Sequence, residues 1–310
     1  MRKRCLDMVY NLATKDERVT FIGSDLSPGL LGQMKEEFPD RYFMEGIAEA
    51  NVFGMAAGMA MGGYIPFVNT ISTFITRRAF EQVAIDLCLH DLPVRMIGNG
   101  GGYVYAPLGP THQAIEDIAT MRSLPNMTVV AVCDAEEMTR FMETTLDWPH
   151  PIYIRLGKGG DPVVSDGDKG FAIGKAITLV DAPNTDIAIL TTGIMAERAL
   201  NAAEELQKDG YGVSVIHHHT IKPIDRESIC HTAKTAKKIV TLEEHNLIGG
   251  FGSAVAEVMM DEDLGADTKL ARMGIPDVFS EHYGSQNQLL DHFGLSVNTI
   301  VQTAKKGLEQ

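Results

Sequence analysis

Residues 44–51 read Met-Glu-Gly-Ile-Ala-Glu-Ala-Asn and lead directly into a glycine-rich stretch at 52–62. Glycine recurs at every fourth position of that stretch, so the pattern predicts a helix with one small face that another backbone can approach closely. Two acidic residues, Glu45 and Glu49, stand at the mouth of this helix. A carboxylate in that position can be held against a flat heterocycle, which makes this the most informative stretch of the chain.

The uncharged run at 52–68 also has the small-residue spacing of a membrane dimerisation helix. It is too short and too rich in Gly and Ala to span a bilayer, and Gly62, Gly63 and Pro66 end the helix early. The sequence therefore predicts a soluble helix and no membrane partner.

Composition sets the outer limits on function. The chain has 310 residues, of which 45% are hydrophobic and 22% charged, as in a soluble protein of about two domains. Its net charge of −14 argues against binding to nucleic acid or to an anionic membrane. A few local cations can still bind a phosphorylated substrate. The four cysteines lack metal-ligand spacing and no secretory segment opens the chain, so we expect reduced thiols and a cytoplasmic protein.

Short β-branched runs alternate with amphipathic stretches along the whole chain, which predicts the α/β class, with mainly parallel sheets flanked by helices. Strands are predicted at 19–23, 94–98, 127–132, 152–156, 187–192, 213–216 and 239–243. Helices are predicted at 2–13, 79–90, 135–146, 195–208 and 252–260. The segment 157–170 is rich in Gly, Asp, Lys and Pro, a linker composition. We therefore predict two domains, 1–165 and 166–310.

Three further features lie where chemistry is expected, and each also has a structural explanation. Glu49 or Glu45 could simply favour a helix N-terminus. Phe74 and Phe80 offer flat faces for stacking, but they could equally be core residues. His112 follows Gly-Pro-Thr and could be an ordinary loop histidine.

The triplet 217–219 is all histidine, but consecutive strand residues point to opposite faces, so no metal site is predicted there.

Taken together and in order, these segments resemble the pyrimidine-binding half of a transketolase, a thiamine diphosphate enzyme. The resemblance rests on the stretches 23–27 (Gly-Ser-Asp-Leu-Ser), 46–49 (Gly-Ile-Ala-Glu), 72–74 (Ser-Thr-Phe) and 109–113 (Gly-Pro-Thr-His-Gln). Residues 220–225 and 243–252 resemble the C-terminal domain of the same family. Several ordered motifs that agree outweigh any one of them.

The resemblance implies roles for individual residues. Glu49 corresponds to the glutamate that activates the cofactor, and Asp25 to the aspartate near cofactor and substrate. Phe74, with Arg77 and Phe80, corresponds to the segment that stacks on the aminopyrimidine ring. His112 corresponds to the histidine that reaches the reacting carbonyl oxygen. These implied roles make Glu49 and His112 the predicted catalytic residues.

Departures from the family pattern limit what can be said of the substrate. Gly100 stands where the family has a phosphate-binding histidine, and Leu108 where it has an aspartate that contacts a sugar hydroxyl. Lys158 replaces a phosphate-binding arginine and keeps the charge without the bidentate geometry. Arg155 and Lys158 remain the predicted anion-binding residues. We therefore expect a sugar that is branched, modified or carries a different anion.

The half that grips the diphosphate has no counterpart in this sequence. The family holds Mg²⁺ and the diphosphate through a Gly-Asp-Gly…Asn segment, and the glycines at 98–102 lack its acidic ligand. The chain thus resembles the C-terminal subunit of a split transketolase. That resemblance implies an N-terminal partner subunit that holds Mg²⁺, and an α2β2 assembly.

Two other functions stay open at this stage. One is a related thiamine diphosphate subunit, such as the β subunit of a 2-oxo acid dehydrogenase or a deoxyxylulose-phosphate-synthase-like enzyme. The Thr-His-Gln motif at 111–113 favours the transketolase over the dehydrogenase. The other is a non-catalytic regulatory subunit, against which the intact Glu49, Phe74 and His112 argue.

Overall fold

Short apolar runs form the strands of two sheets in the computed structural model, which describes residues 1–24, 26, 29–265 and 268–308. The strands are β1 Val19–Gly23, β2 Tyr42–Met44, β3 Ile65–Ile71, β4 Arg95–Asn99, β5 Thr128–Ala131, β6 Ile152–Leu156, β7 Ile177–Val180, β8 Ile187–Thr191, β9 Val213–His217, β10 Thr220–Lys222, β11 Lys238–Asn246 and β12 Lys269–Ile275. Most are buried on both faces, as strands of a covered parallel sheet are.

Amphipathic segments form the helices between the strands. They are α1 Arg2–Lys15, α2 Gly32–Glu37, α3 Glu49–Met61, α4 Phe80–Gln82, α5 Asp117–Arg122, α6 Ala135–Glu143, α7 Met195–Lys208, α8 Arg226–Thr235, α9 Phe251–Asp261, α10 Gln286–His292 and α11 Val297–Lys305. Asp134 caps α6 by accepting hydrogen bonds from the N–H groups of Glu136 and Glu137, at 2.9 and 2.8 Å. No helix in the described part of the chain is long and apolar enough to cross a membrane.

The first sheet has the order β10-β5-β6-β4-β3-β1-β2, and its pairs are parallel except for β10 with β5. The second sheet has the order β12-β11-β8-β9-β7, with only β7 antiparallel. Both sheets are flanked by helices, which confirms the predicted α/β class with two mainly parallel sheets.

The two halves of the chain share their cores. Strand β10 comes from the second half but pairs with β5 of the first sheet, where Thr220 lies opposite Val130. Conversely, Tyr103, Ala106 and Ile115 from the first half are buried in the core around α7 and α11. The segment that follows β4 is therefore packed into the hydrophobic core of the second sheet.

One predicted helix is irregular. The sequence predicts a single helix at 79–90, but the chain forms two π-helical segments, Phe74–Arg78 and Val83–Leu89, around the short α4. A π-helix widens the turn by one residue and is often found at functional sites. The first of these segments carries the aromatic ring and the arginines of the site described next.

Candidate active site

The central acidic residue lies against the carboxyl end of strand β3. Gly46 adopts a positive φ of 68° before α3, and this turn brings Glu49 into the first turn of the helix. The Glu49 side chain is only 2% exposed. Its carboxylate oxygens contact Thr70 Oγ1 at 3.4 Å, at the end of β3, and Arg78 Nη1 at 2.7 Å. In open α/β sheets, ligands bind at this carboxyl edge.

Arg78 joins the acid to an aromatic ring. Its guanidinium lies 4.3 Å from the centroid of the Phe74 ring while it donates to Glu49. The π-helical winding of Phe74–Arg78 places both side chains on the same site. Phe80 is partly buried and packs against the hydrophobic core that includes residues of α3, and its predicted contact with the cofactor stays a prediction. Arg78 was not among the predicted site residues.

His112 faces the same aromatic ring from the other side of the site. The imidazole and Phe74 ring centroids are 5.4 Å apart and meet edge to face at 65°. Thr111 Oγ1 lies 2.9 Å from His112 Nδ1, which leaves Nε2 as the nitrogen available to a ligand. Thus Arg78 and the Phe74 ring connect Glu49 to His112, although these residues are far apart in sequence.

Arg77 holds the loop that carries His112. Its guanidinium forms an ion pair with Glu116 and donates to the carbonyl oxygens of Pro110, at 3.2 Å, and Gln113, at 3.0 Å. These contacts bracket His112 on both sides in sequence. Arg77 therefore holds the histidine loop, and its predicted contact with the cofactor stays a prediction.

The strand ends around Glu49 keep several buried polar atoms without a hydrogen-bond partner among the described residues. They include Asn69 Nδ2 and Asn99 Oδ1. Buried polar groups are nearly always paired, so unpaired ones at a strand edge indicate a place for a polar ligand. With the Phe74 face and the Glu49 carboxylate, this donor and acceptor set fits a flat, nitrogen-containing ring.

The glycine segment after β4 is shaped by the side chains that pack on it. A Cβ at Gly100, where φ is +84°, would lie 2.2 Å from the Tyr105 ring. Tyr105 therefore occupies the space that a side chain at position 100 would need. Its ring lies 6.5 Å from that of His112. Leu108, the second departure from the family pattern, is 54% exposed.

Arg155 is buried away from solvent. Its Nε–H donates to Asp117 at 2.7 Å, and its Nη2–H donates to the carbonyl oxygens of Ala114, at 3.2 Å, and Glu244, at 2.8 Å. Burial works against its charge, but Asp117 and Glu244 raise the pKa of the guanidinium. Arg155 thus links the two halves of the chain, and its predicted role in substrate binding stays a prediction.

Lys158 and Asp25 complete the set of predicted residues. Lys158 is exposed and lines a cleft of about 340 Å³ that also contains Arg198 and Gln286. This cleft is formed by the segment after β6 and by residues of α7 and α10. Asp25 lies outside the described residues, so its predicted contact with cofactor and substrate stays a prediction.

The histidine triplet lies at the junction of the two sheets. Cys133, Glu137 and His217 each place one potential ligand atom within 4.8 Å of the others. The Glu137 carboxylate accepts a hydrogen bond from the Cys133 N–H at 2.7 Å and pairs with His217 Nε2 at 3.0 Å. Burial raises the pKa of the Cys133 thiol well above its ordinary value, so the sulfur is held protonated. We interpret the group as a hydrogen-bonded joint between α6 and β9.

The other two histidines of the triplet have different neighbours. The His218 ring lies 5.3 Å from Phe251, and the His219 ring stacks on Phe171 at 3.9 Å. Burial lowers the pKa of His218 to about 3 and that of His219 to about 4, so both are neutral at pH 7.

The fold and the site define a two-domain α/β protein that can hold a flat heterocycle between an acid, an aromatic ring and a histidine. Residues 1–160 match the family described as "Transketolase, pyrimidine binding domain", and residues 174–300 match "Transketolase, C-terminal domain". The chain belongs to the transketolase family. The pyrimidine-binding domain implies thiamine diphosphate as its cofactor.

Relatives of known description show which part of the family this chain represents. It is 34% identical to "6-deoxy-6-sulfo-D-fructose transketolase subunit SqwH" from Clostridium sp. (strain MSTE9), covering all of this chain and 95% of that protein. It is 37% identical to "1-deoxy-D-xylulose-5-phosphate synthase" from Desulforudis audaxviator, covering 96% of this chain and 46% of the synthase. Thus it spans nearly all of the first relative and about half of the second.

A solved structure agrees with this division. The structure described as "Split gene transketolase, inactive beta4 tetramer" has a TM-score of 0.90 with this chain at 35% identity, and the match covers 99% of this chain and 97% of that one. One of these similar proteins is thus described as a transketolase subunit and another as a split gene transketolase.

Proposed function

We propose that this chain is the pyrimidine-binding subunit of a two-chain transketolase that moves a two-carbon ketol unit from a ketose donor to an aldose acceptor. The observation that carries the proposal is the buried Glu49 carboxylate, which Arg78 fixes beside the face of Phe74. The Phe74 ring in turn contacts His112 edge to face. Membership of the transketolase family supports it.

Each residue of the site has a distinct task in this proposal. Thiamine diphosphate, when bound, supplies the electron sink for breaking and forming the carbon–carbon bond. Glu49 would hold or release a proton at its carboxylate for a nitrogen of the bound cofactor ring, and Arg78 fixes the orientation of that carboxylate. Phe74 offers the ring a flat face, and His112 Nε2 donates a proton to, or takes one from, the substrate oxygen. Asp25 and Lys158 stay in the proposal as substrate contacts.

The missing diphosphate site is proposed to lie on a partner. No Gly-Asp-Gly…Asn segment occurs in the sequence, so the oxygen ligands for Mg²⁺ would come from the N-terminal subunit. The small face of α3, with Gly54 and Gly58 exposed, would suit close packing in an α2β2 heterotetramer in the cytoplasm. The inactive β4 tetramer described for the similar structure supports the view that such a subunit alone is not sufficient.

An atypical sugar fits the walls of the site. The Tyr105 ring fills the space beside Gly100, and Leu108 offers no hydrogen bond to a hydroxyl. A site without the usual phosphate-binding histidine favours a different anion or a different sugar skeleton. A relative named for a sulfonated fructose supports this part of the proposal.

A second candidate is a deoxyxylulose-phosphate-synthase-like reaction, because a synthase is 37% identical over 96% of this chain. The two functions differ in their donors: the synthase reaction consumes a 2-oxo acid and releases carbon dioxide, whereas the transketolase reaction consumes a ketose and releases none. A 2-oxo acid dehydrogenase β subunit is disfavoured by the Thr-His-Gln motif at 111–113.

The experiment that tests the proposal combines the purified chain with its N-terminal partner, thiamine diphosphate and Mg²⁺. Ketose phosphates, sulfonated ketoses and pyruvate are offered as donors with a panel of aldoses, and products and carbon dioxide are quantified. Ketol transfer without carbon dioxide release supports the transketolase. If pyruvate were the only donor consumed, with release of carbon dioxide, the synthase-like function would replace the transketolase function.

A further inference from the structure

Glu244, which lies near the end of β11, reaches out of the second domain into the loop after β4. Its side chain is buried, and its carboxylate accepts a hydrogen bond from the Tyr103 N–H at 2.8 Å. The Gln286 amide donates to the same carboxylate at 2.9 and 3.1 Å. Burial raises the pKa of Glu244, while Arg155 and these two donors favour its charged form. The carboxylate is therefore fixed from both sides.

The loop residue next to Tyr103 is shaped around this carboxylate. Gly102 has a positive φ of 62°, and a Cβ there would lie 2.3 Å from the Glu244 Cδ. The Gly102 N–H donates to the Ala114 carbonyl at 2.8 Å, and the Ala114 N–H donates to the Gly102 carbonyl at 3.1 Å. Ala114 follows His112 by two residues. The position of Gly102 therefore sets the position of the backbone that ends the histidine loop.

Both strands of this small ladder are anchored in the second domain. The Tyr103 ring stacks on Phe293 at 5.5 Å, and Ile115 is buried in the same core. The Ile115 carbonyl accepts a hydrogen bond from the Asn246 N–H, two residues after Glu244, at 2.7 Å. Thus the segment that carries His112 is held by the second domain on one side and by Arg77 on the other.

We propose that Glu244 is a positioning residue for His112, through which the C-terminal domain sets the geometry of the active site. Glu244 does not contact the site itself. It fixes Tyr103 and Gly102, and these fix Ala114 and the histidine loop. A shift of about 1 Å in a catalytic group can lower a rate by up to about 100-fold. A buried anchor that sets the position of His112 therefore matters to turnover even though it does not contact the substrate. The catalytic consequence rests on the proposed function, but the positional effect does not.

The first test therefore needs no cofactor or substrate. Amide exchange of peptides within 100–116 and the imidazole NMR signals of His112, assigned by their loss in His112→Asn, are compared among variants of the purified chain. Glu244→Ala is expected to speed exchange in this segment about tenfold and to move the His112 signals. Glu244→Gln keeps an oxygen that accepts from Tyr103, so it should stay close to wild type. Glu204→Ala, at an exposed position of α7, is the matched control.

A second variant covers the case in which Glu244→Ala does not fold. Gly102→Ala keeps the carboxylate but forces it away from the loop, and the same changes in exchange and in the His112 signals are expected. Wild-type protection at 100–116 and unmoved His112 signals in whichever of the two variants folds would overturn the proposal.

The kinetic test uses a double-mutant cycle in the complex with the N-terminal partner. Glu244→Ala should lower kcat about 10- to 100-fold with KM changed less than twofold, and it should add nothing in a His112→Ala background. If the double variant lost kcat by the product of the two single-variant factors, Glu244 would not act through His112, and the proposal would be overturned. If the wild-type complex transfers no ketol unit, the proposed function fails, while the exchange and NMR results still decide the positioning role.

Discussion

Glu49 and Arg78 form an ion pair across the edge of the active site, with Oε2 and Nη1 2.7 Å apart, although the Glu49 side chain is 2% exposed and that of Arg78 is 46% exposed. The arginine thus lies at the boundary between solvent and a buried acid. Because the same guanidinium covers the Phe74 ring, one residue sets the positions of both the acid and the aromatic face.

Replacing Arg78 with methionine removes the ion pair and the contact of the cation with Phe74. We expect kcat/KM of the complex to fall at least about tenfold, since an oriented catalytic carboxylate loses its anchor. Stability should fall by about 1 to 3 kcal/mol, because Arg78 is half exposed but its loss leaves the buried Glu49 carboxylate without a charged partner. Steady-state kinetics and urea unfolding measure the two effects. Arg4→Met, which breaks an exposed pair with Glu136, is the control and should retain full activity.

Replacing Glu49 with glutamine tests the proton-transfer role with little change in shape. Turnover by the complex should fall by at least about 100-fold, because an amide cannot hold or release the proton. Assembly with the partner, measured by light scattering, should be unchanged. Turnover at the wild-type rate would remove Glu49 from the catalytic assignment.

Replacing Leu108 with aspartate tests the departure that points to an atypical sugar. A carboxylate there can accept a hydrogen bond from a substrate hydroxyl, so kcat/KM for an ordinary ketose phosphate should rise about fivefold relative to the best donor. Competition between the two donors in one assay gives this ratio directly. Leu89→Asp, at an exposed position of the π-helical segment Val83–Leu89, should leave the ratio unchanged. An unchanged ratio in Leu108→Asp would count against the atypical-sugar proposal.

The buried histidines at the junction of the sheets predict a loss of stability in mild acid. His218 and His219 bind a proton near pH 6.5 in the unfolded chain, but only near pH 3 and 4 in the folded one. Between pH 6.5 and 4 the unfolded state therefore binds more protons, and the free energy of unfolding falls as the pH falls. Each histidine contributes up to about 1.4 kcal/mol per pH unit in this range and nothing further above it.

Urea unfolding at pH 7.5, 6.5, 5.5 and 4.5 measures that dependence. The variant His219→Asn should show a weaker loss of stability below pH 6.5 than the wild type, whatever its stability at pH 7.5. His90→Asn, at an exposed position, should keep the wild-type dependence. The same slope in wild type and His219→Asn would show that His219 does not titrate on unfolding. Glu137, whose pKa is lowered by His217 despite its burial, adds a further loss only below about pH 4.5.

The sequence predicts those elements best whose hydrophobic pattern is uninterrupted. The predicted bounds agree with β1, β6 and α7, because each is a regular run with turn residues at its ends. Strand β3 was missed because it carries Pro66 near its start, and proline in a central strand is unusual. The π-helical segments were missed because the helical period of the sequence does not show an i to i+5 bond.

The site was predicted only as far as each residue could be recognised by its own motif. Glu49, Phe74 and His112 lie together and their catalytic roles stay predictions, but the sequence gives no sign that Arg78 rather than Arg77 contacts the acid. That choice depends on the extra residue in the π-helical turn. The ion pair of Arg155 with Asp117 could not be predicted because the two residues are distant in sequence. The domain division at residue 165 stays a prediction.

A calorimetric titration of thiamine diphosphate and Mg²⁺ into this chain, alone and mixed with its N-terminal partner, tests most directly whether two subunits share the cofactor site. We expect saturable binding in the mixture and none to the chain alone, because the chain carries the acid and the aromatic face but no Gly-Asp-Gly…Asn segment. Tight, saturable binding to the chain alone would contradict a shared site.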